Sequence, residues 1–540
     1  MTLPRSVAID FGASATKCAW RDGDGAVHLV RFGTSGQFDT VVYVETDLSI
    51  SIYRAGGAQR ALYGIKQRIG EPGKPLLERE IPIGAGDESV RLIEPTSAVL
   101  AYALARCRDA IGLGTDPLEM LDQLPIVLTH PVLWGDAERQ FLTEALSQSA
   151  MPAQRRAAPT IHFVTEPEAA CAYAISQGVA SFAQGPIAVF DIGAATLDIA
   201  VVARDGDDTA TLASNGSFSG GDDLDNALLR LVEGRLRAEE GPQAADAFLR
   251  ACLEQPYSAR AEARETKEAL SADDESVFTA TLAGDEPGDD GTNVDVEIGR
   301  GEFEDEIGPI LGGWADLLDD CLASLPSGST PGTILCSGGT ALVPELQRQL
   351  GEVAERYGAQ VVVVGPPEVG PGQCVAPGAL DALATRENAR IREEQRRERE
   401  ESDRREARER SLRRIRRHNE DMIDEIRTNY SALRARADAL LDRLPPDEEL
   451  IKVIRFKALK GFGVSSYLFD QWSLMALSRD RMTIEPVVGD GWWRCTEVES
   501  FQHGEVMNNM IIRFHRDRLW VGYITQQEYK FLSDWCNERF

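Results

Sequence analysis

An α/β fold, with parallel sheets covered by helices, is predicted for residues 1–385, and three observations predict it. Short apolar runs (SVAID, PIVLTHPV, IHFVTE, PIAVFDI, LDIAVVA, GTILCS, AQVVVVG) read as strands. They alternate with amphipathic stretches such as DAERQFLTEALSQSA and LDNALLRLVEGRLRAEE, whose apolar spacing is helical. The 43% hydrophobic content is that of a chain with a real core. Strands alternating with helices along a chain favour parallel sheets with helices on their faces.

The rest of the chain reads differently. Residues 386–446 begin as RENARIREEQRREREESDRREARERSLRRIRRH, dense in Arg and Glu, which predicts a long charged helix held by acid–base pairs three and four residues apart. Such a helix is either a solvated spacer or a docking surface for an acidic partner, because both have this pattern. MIDEIRTNYSALRARADALLDRL then regains apolar residues, predicting a helical hairpin or coiled coil that ends at Pro445 and Pro446. Residues 447–540 predict a small α+β domain. LIKVIRFKALKGFG and SSYLFDQWSLMALS read as one or two helices; RMTIEPVV, WWRCTEVES, VMNNMIIRFHRD and RLWVGYIT read as strands, with RDR a tight turn before the last; QQEYKFLSDWCNERF reads as a closing helix. Trp492, Trp493, Trp520 and Trp535 are expected to build its core or to line a peptide groove.

Charge and cysteine usage exclude several classes. A formal net charge of -30 opposes broad nucleic-acid binding, which needs a basic surface. Nine widely spaced cysteines without a CxxC pair read as reduced thiols in a cytoplasmic protein. No signal region or long uninterrupted apolar run is evident, so no membrane partner is expected.

The informative feature is a near repeat. SVAIDFGASATKCAWRDGDG at the start and IAVFDIGAATLDIAVVARDGDD later share a strand, Asp, x, Gly, a small-residue turn, Thr, and a second strand. Each reads as a hairpin whose tip lets backbone approach a ligand closely. Backbone N–H groups in such a tip form a nest for phosphate oxygens. An aspartate beside that nest would repel phosphate unless a hard cation lay between them, and magnesium, which keeps several waters, fits. Asp10 and Asp191, one per hairpin, would then clamp a magnesium–polyphosphate from two sides.

Residues 1–385 resemble, in order, the nucleotide-binding domain of the seventy-kilodalton heat-shock chaperone family, a two-lobed actin-like ATPase fold of duplicated ribonuclease-H-like lobes. DFGASAT resembles its first phosphate loop (Gly12, Ala13, Ser14, Ala15), and LYGIKQRIG the segment with its catalytic lysine, here Lys66. VLTHPVLWGDAERQFLTEA is similar to the crossover with a switch proline, here Pro131, and VTEPEAACAYA to the segment with a catalytic glutamate, here Glu166. FDIGAATLD resembles the second loop (Gly193, Ala194, Ala195, Thr196), and SGGDDLDNALL the turn after it (Gly220, Gly221, Asp222). TKEALS resembles the adenosine pocket with Lys267 and Ser271, ILCSGGTALVPELQ its second loop with Gly338, Gly339 and Thr340, and CVAPGALDA the closing helix.

The resemblance implies ATP/ADP and Mg2+ as ligands, with Asp10 and Asp191 holding magnesium through water. Lys66 would neutralise the transferred phosphoryl group and position the attacking water, Glu166 or Asp191 would accept its proton, and Asp198 would sit at a monovalent cation, potassium in the family. Taken alone, Lys66 also reads as a solvated helix lysine and Glu166 as a helix cap. The sequence departs from the family at Ala13, Ala194 and Ala195 in the loops, where positive φ would strain an alanine. It departs again at Leu342, Glu268 and Gly372 in the adenosine pocket. No peptide-gripping β-sandwich follows residue 385. The expectation is a slow, divergent chaperone-like ATPase that couples nucleotide state to a specific protein partner through its C-terminal helix and domain. An actin-like polymerising ATPase and an ATP sensor with little hydrolysis are the alternatives.

Overall fold

A computed structural model describes the chain apart from residues 1–4, 54–59, 84–87, 113–123, 150–159, 207, 285–290, 366–369, 459–471, 479–480, 486–491, 495–497, 504–509, 515–517, 523–524 and 538–540. It divides into two compact units, Met1–Ile391 and Arg392–Phe540.

The first unit has the expected duplicated α/β fold. In one lobe the strand order is Ile161–Thr165, Ile126–His130, Ser6–Asp10, Ala15–Arg21, Val27–Leu29; the first three are parallel and the last two antiparallel. The other lobe repeats this as Gln360–Val363, Thr333–Ser337, Ile187–Ile192, Leu197–Asp205, Asp208–Ser217. Each central strand is buried on both faces, which is why it reads as an apolar run.

The two-residue period assigns those faces. Val7 and Ile9 enter the first lobe's core, Ala188, Phe190 and Ile192 enter the second's, and Ala8, Ile187 and Val189 face a third core between the sheets. Small residues on the inner face, Ala8, Ala19 and Ala200, leave room there for helix Glu166–Ser176 and the beginning of helix Val375–Asn429. At Gly378 the two helices are so close that a Cβ would lie 1.9 Å from the Ala169 carbonyl oxygen.

The expected charged helix is the middle of one 55-residue helix, Val375–Asn429, which starts in the interlobe core. Its middle is exposed and laced with pairs such as Arg396–Glu393, Arg397–Glu393 and Arg405–Glu409. Exposed pairs of this kind are worth roughly 0.3–0.5 kcal/mol each, so packing at its ends contributes more.

In the second unit this helix turns back into helix Arg434–Arg443, and the hairpin covers a seven-stranded antiparallel sheet. Ile423, Ile426, Leu433, Ala437 and Leu440 pack on Leu450, Val453, Leu474 and Ala476. The four expected strand segments carry five strands, WWRCTEVES contributing Trp492–Arg494 and the start of Val498–His503, and the final helix, Gln526–Asn537, is present. The one or two helices expected between 450 and 478 are instead strands, Leu450–Ala458 and Trp472–Ser478, paired antiparallel. A bulge between Leu450 and Lys452 breaks the first strand's alternation, and Leu474 to Ser478 are all buried, so neither shows a strand period. Trp535 is in the core, with its indole N–H donating to the Ser478 carbonyl at 2.9 Å. The side chains of Trp492, Trp493 and Trp520, and most of the RDR turn, lie outside the described residues.

Seven cysteines are free thiols, Cys495 and Cys536 falling outside the described side chains. Among the described residues no helix is long and apolar enough to cross a membrane.

Gly378→Ala should lower the stability of the first unit by about 1–3 kcal/mol, the range for overpacking a tight contact. Urea unfolding of the full chain followed by intrinsic fluorescence checks this, with an unchanged midpoint as the contrary result.

Candidate functional site

Both hairpins end at one cleft. Of the expected site residues, all but Gly220 and Asp198 line a single cavity of about 380 Å³ in the first unit. The strand ends set this convergence: Asp10 closes strand Ser6–Asp10, Asp191 lies near the end of Ile187–Ile192, and sheets of this kind place ligands beyond the carboxyl ends of their strands.

The tips are made by close backbone contact. At Gly12 a Cβ would fall 2.1 Å from the Ala15 carbonyl oxygen. In the second loop the Gly193 N–H donates to the Thr196 carbonyl at 3.0 Å, while Gly221 and Asp222 donate to the Gly193 and Ala194 carbonyls. Gly220 therefore lies behind the tip, where a Cβ would meet the Ala194 oxygen at 2.7 Å; it supports the loop without facing the cleft. Gly338, at φ 87°, abuts the Ile192 backbone, and the Thr340 hydroxyl donates to the Gly193 carbonyl at 3.2 Å. Positive φ among non-glycine residues is confined, among those described, to Leu48, so Ala13, Ala194 and Ala195 carry no left-handed strain. The strain anticipated at these alanines is absent.

Lys66 and Glu166 are neither solvated nor capping. Lys66 is buried in the short helix Ile65–Gly70, and its ammonium is ion-paired with the buried Glu166 carboxylate. Glu166 opens helix Glu166–Ser176, but the capping is done by Thr165 and Glu168, whose side chains bond each other's backbone N–H. Glu166 is thereby left to face the cleft. Gln67, next to Lys66, reaches the Asp222 carboxylate at 2.9 Å.

The aspartates are individually anchored. Asp10 accepts from the Thr129 hydroxyl at 3.1 Å and Asp191 from the Ser337 hydroxyl at 2.6 Å. Asp198 lies beneath the cleft, one oxygen accepting from the Val132 N–H at 2.6 Å, just after Pro131. Its other oxygen is buried with no hydrogen-bond partner among the described residues.

Burial and mutual repulsion perturb these groups. Burial, then the charge of Asp10, raises Asp191 above the usual carboxylate range despite its Ser337 bond. Burial pushes Asp198 up to about 6, Lys66 opposing and Asp191 adding to the rise. Burial also raises Glu166, with Lys66 opposing. For Lys66 burial acts downward, but Glu166, Asp10 and Asp198 outweigh it and hold the ammonium above the ordinary lysine value. A buried group of carboxylates with one orphaned oxygen fits a cation. Among the described residues no three such groups are placed to ligate a metal directly, so water or phosphate would complete the shell of an ion at Asp10 and Asp191.

The remaining expected residues divide by role. The Lys267 ammonium lines the cleft but is already tied to Asp225 and, at 3.0 Å, to the Gly221 carbonyl. Ser271, Gly339, Leu342, Glu268 and Gly372 also line the cavity. Lys17, Gln37, Arg264 and Val375 line it too and escaped sequence reasoning. Arg264 was recoverable from helical spacing, since 264, 267, 268 and 271 share one face of helix Pro256–Ala272.

The raised carboxyls make stability fall with pH. A folded-state pKa of about 6 at Asp198, against about 3.9 unfolded, means the native state keeps a proton that the unfolded chain has lost. Stability therefore declines from about pH 4 through about pH 6. Asp198→Asn should gain on the order of 2–3 kcal/mol over the wild type at pH 7.5 and about half that at pH 5. Calorimetric melts at the two pH values check this, and a pH-independent difference would exclude titration of Asp198.

Comparison with known proteins agrees with this geometry. Residues 124–387 match the family model for the Hsp70 protein. Among curated proteins, the chaperone protein HscA homologue of Verminephrobacter eiseniae is 29% identical over 300 residues, which are 55% of this chain and 41% of that protein. The homologue of Shewanella denitrificans is 29% identical over 52% of this chain and 39% of its own length, and that of Bordetella petrii 26% identical over 66% and 50%. The chain thus spans half or less of the length of these relatives. The family match lies within the first unit, beginning at residue 124 and stopping at residue 387, short of the second unit.

Proposed function

We propose that the chain is a slow, divergent, cytoplasmic chaperone-like ATPase that hydrolyses Mg-ATP to ADP and phosphate. Its nucleotide state would set affinity for a specific protein partner bound through the C-terminal helix and domain. The observation that supports this most is the buried Lys66–Glu166 pair in a cleft flanked by the Asp10 and Asp191 hairpins.

Magnesium held through water by Asp10 and Asp191 would supply charge neutralisation to the phosphates. Asp198, with its orphaned oxygen, would take a monovalent cation such as potassium. The hairpin tips, without left-handed strain at their alanines, would receive the phosphate oxygens. Lys66 would present positive charge to the transferred phosphoryl group, stabilising charge where it develops. Glu166, freed from capping and raised by burial, would take the proton from the attacking water, and Lys66, released from its ion pair as Glu166 is neutralised, would turn its charge to the phosphoryl oxygens. Ser271, Gly339 and Thr340 would border the nucleoside.

Coupling has a candidate route. The Asp198 carboxylate is bonded to the backbone just after Pro131, so a change in charge at the cation site bears on the crossover between strand Ile126–His130 and its helix. A sensor with little hydrolysis drew its support from the loop alanines, and their unstrained backbones weaken that motive.

Lys66→Ala should lower lysine-dependent phosphate release by at least about 100-fold, in line with the loss of a positioned charge. Release that is insensitive to the substitution would overturn the hydrolytic reading. Coupling is checked separately by hydrogen exchange: helix residues 392–443 should differ in protection between ATP and ADP, and identical protection would sink the effector role.

A further inference from the structure

The two hairpins repeat one pattern but differ in charge at the pair that holds the motif aspartate. Asp10 stands opposite Lys17 across the first strand pair, whereas Asp191 stands opposite Asp198 across the second. One lobe thus places a cation beside its motif aspartate and the other an anion.

Lys17 lies where a ligand would meet it. Strand alternation puts it on the face of Ala15 and Ala19, toward the interlobe space, and its side chain lines the cleft at 14% exposure. Its ammonium is 3.4 Å from the nearer Asp10 oxygen, an ion pair longer than a good charged hydrogen bond. The same nitrogen lies 3.4 Å from where a Cβ on Gly12 would be, directly above the first loop. The other two lysines of the cleft are already engaged: Lys66 with Glu166, and Lys267 with Asp225 and the Gly221 carbonyl. Lys17 is the lysine with a loose partner and donors to spare, since an ammonium has three.

We infer that Lys17 is a phosphate-binding cation built into the first loop. It engages the diphosphate common to ATP and ADP, so that the chain binds these nucleotides without a divalent metal. The inference rests on the nucleotide-binding part of the proposed function. When Lys17 moves from Asp10 to phosphate, Asp10 becomes available to a hydrated cation, so the two cations share the site. An ammonium has no ligand geometry to satisfy and cannot be chelated, and a partly buried position shields it from salt.

Titration of the full chain with fluorescently labelled ADP, in excess EDTA and in excess magnesium, tests this. The wild type should bind in EDTA within about tenfold of its affinity in magnesium. Lys17→Met, which keeps the bulk of the stem, should lose about 10- to 100-fold in EDTA, the worth of a charged hydrogen bond, and less in magnesium. Lys17→Arg should restore most of that affinity. Labelled AMP should bind wild type and Lys17→Met alike, which also reports that the cleft is intact. The inference fails if the wild type binds ADP in EDTA and Lys17→Met binds it within twofold. It also fails if AMP loses as much as ADP, or if ADP binding requires magnesium in the wild type. Absence of ADP binding under both conditions overturns the nucleotide-binding reading as well, a result distinct from the others.

Discussion

The first unit is organised around like charges held together out of water. Asp10, Glu166, Asp191 and Asp198 come from four separate element ends, all are buried, and Lys66 is buried among them. Isolated carboxylates in such a place are costly, and their mutual repulsion adds to the cost. Only a rigid frame keeps them there. The frame is the pair of sheets, whose central strands are covered on both faces, with small residues allowing two helices between them. Hydrogen bonds from Thr129, Ser337 and Val132 then fix the direction of each aspartate. The site and the core are therefore one problem: packing supplies the free energy that keeps the charges assembled, and their mutual repulsion is what a bound cation would relieve.

The long helix follows from a different balance. Its first turns are apolar because they sit in the interlobe core, and residues near Ile415, Ile423 and Ile426 are buried again in the second unit. Between them the helix has almost no buried surface, and its exposed ion pairs are individually weak. Packing at each end contributes what these pairs do not. In the second unit the anchor is polar as well as apolar: Asn419 donates to the Glu448 carbonyl and accepts from the Leu450 N–H, while the His418 ring bonds the Leu450 carbonyl. These bonds join the first strand of the sheet to the helix.

The parts legible in sequence are those where local pattern and tertiary role coincide. The hairpins could be read because their small tips and apolar strands form a repeated local pattern, and Glu166 because VTEPEAACAYA resembles a family segment, although the same residues also read as a helix start, which Thr165 and Glu168 in fact cap. Gly220 was misassigned to the cleft because a glycine needed to let one backbone pass another looks the same as one needed for a ligand. Leu450–Ala458 and Trp472–Ser478 were misread because a bulge and burial on both faces erase the strand period, leaving apolar runs that suit either structure. Lys17 is not legible for a further reason: its place opposite Asp10 across the strand pair is a property of register, which one segment's residues do not carry.

Those features together locate where this domain departs from its relatives. The loop alanines adopt ordinary backbone conformations, so the tips themselves need not alter how phosphate is received. The opposite wall is less well furnished. Leu342 is half-exposed there, Glu268 is anionic, and the Lys267 ammonium is held by Asp225 and the Gly221 carbonyl. Besides the Arg264 guanidinium and the Ser271 hydroxyl, that wall offers a base an apolar side chain and a carboxylate, whereas the other end offers lysines, backbone turns and a cluster of carboxylates. A nucleotide in this cleft would therefore draw most of its binding free energy from its phosphates. Selectivity would follow phosphate number before it followed the identity of the base, because charge-assisted contacts are about twice as strong as neutral ones.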